Sequence, residues 1–285
     1  MPAVSNVDTR TVAGFGAEWR RFDQAGVAAD ELARFFAMYF EQFPWERLPE
    51  HAVGFDLGCG SGRWARLVAP RVATLHCIDA SADALAVAAR SLAGDRRDNV
   101  VLHHASVDEL PLPDGSMDFG YSLGVLHHVP DTAAGIRACV RKLKPGAPLL
   151  LYLYYAFDNR PPWYRWLWRG SEAVRRVVSG LPDRARFLVA DLVAGGLYLP
   201  LARFGRLAEK ARLPVSLLPL SFYRSASFYT MRTDALDRFG TSLERRFSRD
   251  EIRRMMADAG LERIGFREGA PHWCAVGYRT TGPLP

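Results

Sequence analysis

The run from Val53 to Arg63, an apolar stretch ending in Asp56 and then Gly58, Gly60 and Gly62 on alternate positions, constrains this chain more than any other feature. Glycine lets a backbone turn sharply where a side chain would clash. A strand, a glycine loop and a helix start, in that order, mark the first turn of an α/β sheet. There a nucleotide-like ligand can lie close against the main chain.

The spacing narrows the ligand. A dinucleotide fingerprint has glycine at its first, third and sixth positions, and the sixth position counted from Gly58 is Arg63. A phosphate-binding loop closes on Gly-Lys-Ser/Thr, which is absent here. Leu75-His76-Cys77-Ile78-Asp79 reads as a second strand ending in an acid. A carboxylate at that point can accept from both hydroxyls of a ribose; the alternative is a cap on the next helix, a role that Ser81 suits better. Further on come Ala105–Asp118, with Leu110-Pro111 and a turn, then Phe119–Pro130, and then Leu143-Lys144-Pro145-Gly146 before a long apolar strand.

Taken in order over residues 53–155, these segments resemble the motifs of the class I S-adenosylmethionine-dependent methyltransferases, whose signature is an acid, a spacer and Gly-x-Gly-x-Gly. The resemblance implies a doubly wound, seven-stranded, mostly parallel α/β sheet of the Rossmann-like methyltransferase fold. It implies S-adenosylmethionine as methyl donor and S-adenosylhomocysteine as product. The positions it assigns to the cofactor are Asp56, Gly58, Cys59, Gly60, Gly62, Asp79, Ala80, Ser106, Val107 and Leu123. Asp56 would organise the glycine loop. Ser106 stands where the family often has an acid facing the adenine amino group, and the Val107 backbone N–H is the stronger contact there. Trp19 and Phe22 resemble a segment that folds over the cofactor in relatives.

Strands are expected near 53–57, 73–79, 99–104, 117–122 and 147–155, with helices near 62–69, 81–93 and 131–143 between them. The resemblance adds an antiparallel pair near 262–268 and 272–280. Ser248 and Glu251 have the spacing of a capping box. Three regions follow: a helical lead-in over 1–46, a cofactor-binding core over 47–156 plus 241–285, and a largely helical insert over 157–240, too long for a simple connection.

The insert also holds the charge. The chain of 285 residues carries a net +6, but residues 160–212 hold ten Arg and one Lys against four acids, which leaves the remainder at −1. In its first helix Trp163, Trp166, Leu167, Val174, Val177 and Val178 share one face, opposite Arg165, Arg169, Glu172 and Arg176. Phe187–Ala202 is apolar, but it is short for a membrane span, contains Asp191 and is interrupted by Gly195-Gly196 and Pro200. Three roles remain open for the insert. It is a cap that excludes water from a substrate, with its arginines solvated outside; a peripheral contact with an anionic membrane through 160–212; or a surface for a homo-oligomer, a carrier protein or nucleic acid. Large apolar runs between the arginines argue against nucleic acid. Cys59, Cys77, Cys139 and Cys274 have no metal-ligand spacing and suit a reducing cytosol. The N-terminus lacks the early apolar run of a secretory signal.

Methyl transfer from a sulfonium is an in-line displacement, so the enzyme mainly aligns two reactants. A base is needed only where the acceptor must lose a proton. His127 and His128, just past the fourth strand, are candidate bases; the alternative is a helix cap and a packed ring. Tyr152, Tyr154, Tyr155 and Trp19 are candidate substrate contacts. His272 and Trp273 read as structural. The expected reaction is O-methylation of a small or medium organic acceptor, apolar or lipid-like. Its rivals are a non-catalytic binding or regulatory subunit and a C- or N-methyltransferase working at a membrane surface.

Overall fold

The computed structural model describes residues 5–94, 98–158, 160–215, 218–269 and 273–284. His272 lies outside them. Seven strands form one sheet: β1 (Val53–Leu57), β2 (Thr74–Asp79), β3 (Val100–His104), β4 (Phe119–Leu123), β5 (Pro148–Tyr152), β6 (Leu261–Phe266) and β7 (Cys274–Arg279). Their order is β3-β2-β1-β4-β5-β7-β6. The first five are parallel, while β7 runs antiparallel to both β5 and β6. The order reverses between β1 and β4, the point at which ligands bind in open α/β sheets. All of β4, and β1 from Gly54 on, is buried, and these strands accordingly read as mostly apolar runs, broken only by Asp56 and Ser122, rather than as alternating ones. Phe55, Ile78, Leu126, Ile136, Leu149 and Leu151 are among the core side chains fully shielded from water.

Two elements differ from the sequence expectation. The helix after the glycine loop spans only Ala65–Val68 before a tight turn at Ala69–Arg71 that contains Pro70. Proline there removes a backbone donor and stops the helix. Strand β5 ends at Tyr152, not 155. Beyond it Tyr155 makes one isolated pairing with Phe247. The capping box at Ser248 and Glu251 is present in both directions.

The chain divides into two compact units, one of Met1–Asp23, Arg34–Ala156 and Leu243–Pro285, the other of Gln24–Ala33 and Phe157–Ser242. The lead-in over 1–46 is therefore shared between them. The helix Ala29–Tyr39 straddles the boundary.

The second unit is built from the helices Pro162–Val178, Asp183–Lys210 and Phe228–Gly240. Val178, Ala194, Tyr198, Ala202, Met231, Ala235 and Phe239 make its core. Buried Glu31 ties Gln24–Ala33 into it, accepting from the Ser227 N–H at 2.8 Å and the Thr230 hydroxyl at 2.9 Å. The helix from Asp183 runs 28 residues without a break, which corrects the interruption expected at Gly195-Gly196 and Pro200. A π-helical turn at Ala194–Tyr198, closed by Leu199 N–H donating to Ala194 O, widens the helix there. The widened turn accommodates the proline that follows.

Helix Pro162–Val178 departs further from expectation. Trp163, Trp166, Leu167, Val174 and Val177 are exposed, whereas Arg175 is buried. The inner face carries a polar network. Arg175 pairs with Glu172 and donates to the carbonyls of Thr241 at 2.6 Å and Ser242 at 2.9 Å. Arg186, also buried, pairs with Asp183 and donates to Gly240 O at 3.2 Å. These three carbonyls lie at the end of helix Phe228–Gly240, where acceptors have no helical partner and positive charge is favoured. Arg238 adds a bond to the Ser171 hydroxyl at 2.9 Å. Burial pushes the Glu172 carboxyl upward, but Arg175 and Arg238 outweigh it and hold it below the usual carboxylate range.

Replacing Arg175 by alanine takes from partly buried Glu172 its nearest cation, leaving Arg238 and Arg176 at 3.5 and 3.6 Å, and takes a donor from two carbonyls. The expected loss is about 3 kcal/mol in urea unfolding. The exposed Arg203→Ala shifts stability by no more than about 0.5 kcal/mol in the same assay.

Candidate active site

The glycine loop is pinned from two sides. Gly58 N–H and Cys59 N–H both donate to Ile78 O on β2, at 2.7 and 3.2 Å. Gly60 N–H donates to Asp79 Oδ2 at 2.9 Å, and Asp79 Oδ1 accepts from Ser81 N–H at 2.8 Å. Gly58 and Gly60 have φ of +78° and +54°, a region L residues rarely adopt. A Cβ on Gly58 would stand 2.2 Å from Val125, and one on Gly60 2.9 Å from the Trp19 indole. Trp19 therefore lies against the loop, with the Arg63 guanidinium 5.9 Å from its ring centroid.

Asp79 retains capacity for a ligand. A carboxylate offers about four lone-pair positions, and the two N–H donors occupy one on each oxygen. Burial among its neighbours raises the Asp79 carboxyl above its ordinary value, and the Ser81 and Gly60 N–H groups oppose that shift. Ser81 Oγ caps the following helix through Ala84 N–H at 3.3 Å. Ala80, partly exposed, lies beside it. Ser106 opens the short turn Val107–Glu109 and caps it with no side-chain bond. Val107 and Leu123 are buried, Leu123 closing β4. The positions expected to meet the cofactor thus sit along the carboxyl edge of β1, β2, β3 and β4.

Asp56 lies deeper, 2% exposed, with Oδ2 lacking a hydrogen-bond partner among the described residues. Its neighbour across the β1–β4 register is Tyr121. Burial, reinforced by the charge of Asp79, pushes its carboxyl up to about 8 against the pull of Tyr121 and Arg63. The group is thus a neutral acid at pH 7. The Cys59 thiol shares a hydrogen bond with Cys77, and that bond and burial hold it well above its ordinary value. It is not a poised thiolate.

Past β4, Gly124 takes φ +81° and its N–H donates to Tyr152 O at 3.1 Å. The chain then passes through the turn Leu126–His128. His127 is fully buried, and neither ring nitrogen has a hydrogen-bond partner among the described residues. Its ring stacks on Tyr154, centroids 3.8 Å apart, and lies 4.0 Å from His128. Burial first, then His128 and Arg246, lower its pKa well below the ordinary value. His128 differs: its Nδ1 is 2.7 Å from Leu243 O, an acceptor that requires Nδ1 to donate. Neither histidine caps the next helix, since Asp131 does so through Ala134 N–H at 2.9 Å.

Tyr152 and Tyr154 meet edge to face at 5.8 Å. Of the four residues read as substrate contacts, these two join the histidines. Tyr155 is partly buried and packs on the main core, and Trp19, on the helix Thr9–Arg21, packs against the glycine loop instead. The sequence reading missed Phe15, 4.9 Å from His128, and Tyr39, 5.1 Å from Tyr152. It also missed Arg246, whose guanidinium stands over the Tyr154 ring and pairs with Glu244 at 2.9 Å. Glu244-Arg245-Arg246 reads as a solvated charge run, and no signal in the sequence marks it otherwise.

The raised Asp56 value has a sign. Between about pH 4 and about pH 8 the folded chain keeps a proton that the unfolded chain releases. This group's stabilising contribution is complete below about pH 4 and is lost as pH rises through about 8. Asp56→Asn should give a melting temperature that falls less than the wild type's between pH 5 and 8, and equal slopes would contradict the assignment.

Comparison with known proteins places the chain in a family. A family model described as a methyltransferase domain matches residues 55–151. A ubiquinone biosynthesis O-methyltransferase from Dechloromonas aromatica (strain RCB) is 30% identical over 182 residues, covering 63% of this chain and 72% of that protein. A 27-O-demethylrifamycin SV methyltransferase from Amycolatopsis mediterranei (strain S699) is 36% identical over 102 residues, 34% of this chain and 36% of the relative. The chain spans as little as a third to a half of the length of some curated relatives that it matches. An O-methyltransferase family protein from Burkholderia thailandensis has the same fold, with a TM-score of 0.54 at 17% identity over 97% of this chain and 61% of that one. The chain belongs to the class I S-adenosylmethionine-dependent methyltransferases.

Proposed function

We propose that this protein methylates a hydroxyl oxygen of a small organic acceptor, with the acceptor's flat apolar body against Tyr152 and Tyr154. The observation that carries this reading is His127, a buried, neutral imidazole with two unpartnered nitrogens at the carboxyl edge of β4. A hydroxyl must shed its proton as it is methylated, and such an imidazole has a free lone pair to take it. The names of the two sequence relatives, both O-methylating enzymes, support the same atom.

The residues present fit the cofactor. Asp79 has acceptor capacity for ribose hydroxyls, Gly58, Gly60 and Gly62 give the loop its positive-φ turn at the end of β1, and Asp56 holds one unpartnered oxygen, Oδ2, below the loop. S-adenosylmethionine supplies a methyl carbon that its sulfonium makes electrophilic and leaves as the neutral thioether S-adenosylhomocysteine. The protein's own work is then limited. The aromatic rings position the acceptor and exclude water. The unprotonated ring nitrogen of His127 accepts the hydroxyl proton, while the hydrogen bond to Leu243 O fixes His128 behind it.

The test is transfer of labelled methyl from S-adenosylmethionine to a panel of phenols, with amines and thiols of the same skeletons alongside. Phenols should be the substrates turned over. His127→Gln should lower kcat by about a hundredfold or more without weakening S-adenosylhomocysteine binding. Because burial keeps the imidazole neutral, wild-type kcat should be flat from pH 6 to 8. Unchanged turnover in His127→Gln, or preferred transfer to amines, would overturn the reading.

A further inference from the structure

The helix Asp183–Lys210 carries an apolar stripe on its outer side. Leu188, Leu192, Leu197, Phe204 and Leu207 are each 47–65% exposed. The step of five residues between Leu192 and Leu197 crosses the π-helical turn at Ala194–Tyr198, whose extra residue keeps Leu197 in line with the others. At 1.5 Å per residue the stripe is about 28 Å long. Exposed apolar surface this continuous is rare on a soluble protein without a partner. The outward tryptophans of Pro162–Val178, Trp163 and Trp166, add a second apolar face of the same kind.

The surrounding charge selects the partner. All four acids of residues 160–212 are engaged: Glu172 by Arg175 and Arg238, Asp183 by Arg186, Asp191 by Arg232, and Glu209 by Arg224. Arg224 and Arg232 come from outside that stretch, so the local acids are neutralised while its exposed cations are not. Arg165, Arg169, Arg184, Arg203, Arg206 and Lys210 are exposed, with no acid partner among the described residues. An apolar stripe flanked by unpaired cations repels a second copy of itself. It complements a surface that is apolar beneath and anionic at its rim, which is a bilayer containing acidic lipids.

By length and composition this helix could cross a membrane. Its inner side is committed elsewhere. Ala190, Ala194, Tyr198 and Ala202 are buried, and Asp191 accepts from Arg232 of helix Phe228–Gly240 at 2.8 and 3.0 Å. A helix held along one side in this way lies on a bilayer rather than through it.

We infer that the outer side of Asp183–Lys210, with the exposed face of Pro162–Val178, seats in the headgroup region of an anionic membrane. The inference does not depend on the acceptor or on the proton step at His127, and vesicle binding is read without turnover.

The experiment is flotation of the full chain with vesicles of phosphatidylcholine alone and of phosphatidylcholine mixed with phosphatidylglycerol. The chain should float with the mixed vesicles, remain behind with the neutral ones, and be released when salt of about 1 M shortens the Debye length to about 3 Å. Partitioning should fall roughly fivefold for each cation removed, so Arg203→Ala with Arg206→Ala should cost about twenty-five-fold. Leu192→Ser with Leu207→Ser should lose flotation at an unchanged melting temperature, because both side chains are exposed; if that variant melts early, the charge variant decides alone. Equal flotation with both vesicles, or none, overturns the inference. So does a concentration-dependent dimer that the leucine variant dissolves without vesicle binding, or capture by polyglutamate in place of vesicles.

Discussion

The clasp between Asp79 and the glycine loop is the interaction on which the site depends. One carboxylate receives the N–H of Gly60 from the loop and that of Ser81 from the next helix, while Ile78 O one residue earlier takes two more loop N–H groups. The loop that ends β1 is thereby tied to the end of β2. Its positive φ values, which only glycine adopts at little cost, are held in place by that tie. The partly used acceptor positions of Asp79 then face the same region as the bare loop backbone, so one side chain both shapes the site and offers bonds to a ligand.

Around this clasp the ionisable groups are sorted by burial. Asp56 beneath the loop and His127 beyond β4 are both driven toward their neutral forms, one as an acid and one as a base. A neutral His127 adds no positive charge beside a cationic methyl donor and leaves an imidazole lone pair available. In the helical unit the same physics has a different outcome. Arg175 and Arg186 are buried yet paired and hydrogen-bonded through their terminal nitrogens, because the carbonyls at the end of helix Phe228–Gly240 need donors. A buried charge persists where it is paired and hydrogen-bonded.

The parallel sheet was legible in the sequence because its signals are local: Gly58, Gly60 and Gly62 with Asp56 and Asp79 define two strand ends and the turn between them. The histidines were legible as a pair but not as unequal partners, since the carbonyl that engages His128 comes from Leu243, 115 positions away in the chain. Helix Pro162–Val178 misled for a physical reason. Amphipathic periodicity gives two faces without saying which one meets water, and the acceptors that draw Arg175 inward lie 66 and 67 residues further along. Gly195-Gly196 and Pro200 read as breakers because a sequence does not announce a π-helical turn. Arg246 and Tyr39 reach the aromatic cluster through tertiary packing alone.

The central claim is that the loop and Asp79 together hold S-adenosylmethionine or its product. Isothermal titration with S-adenosylhomocysteine, comparing the wild type with Asp79→Ala and Gly58→Ala, tests it most directly. The wild type should show one site per chain and each variant at least about a tenfold loss, the cost of about 1.4 kcal/mol that a lost charged hydrogen bond or a strained positive-φ residue imposes. No binding by the wild type, or affinity untouched by both substitutions, would contradict it.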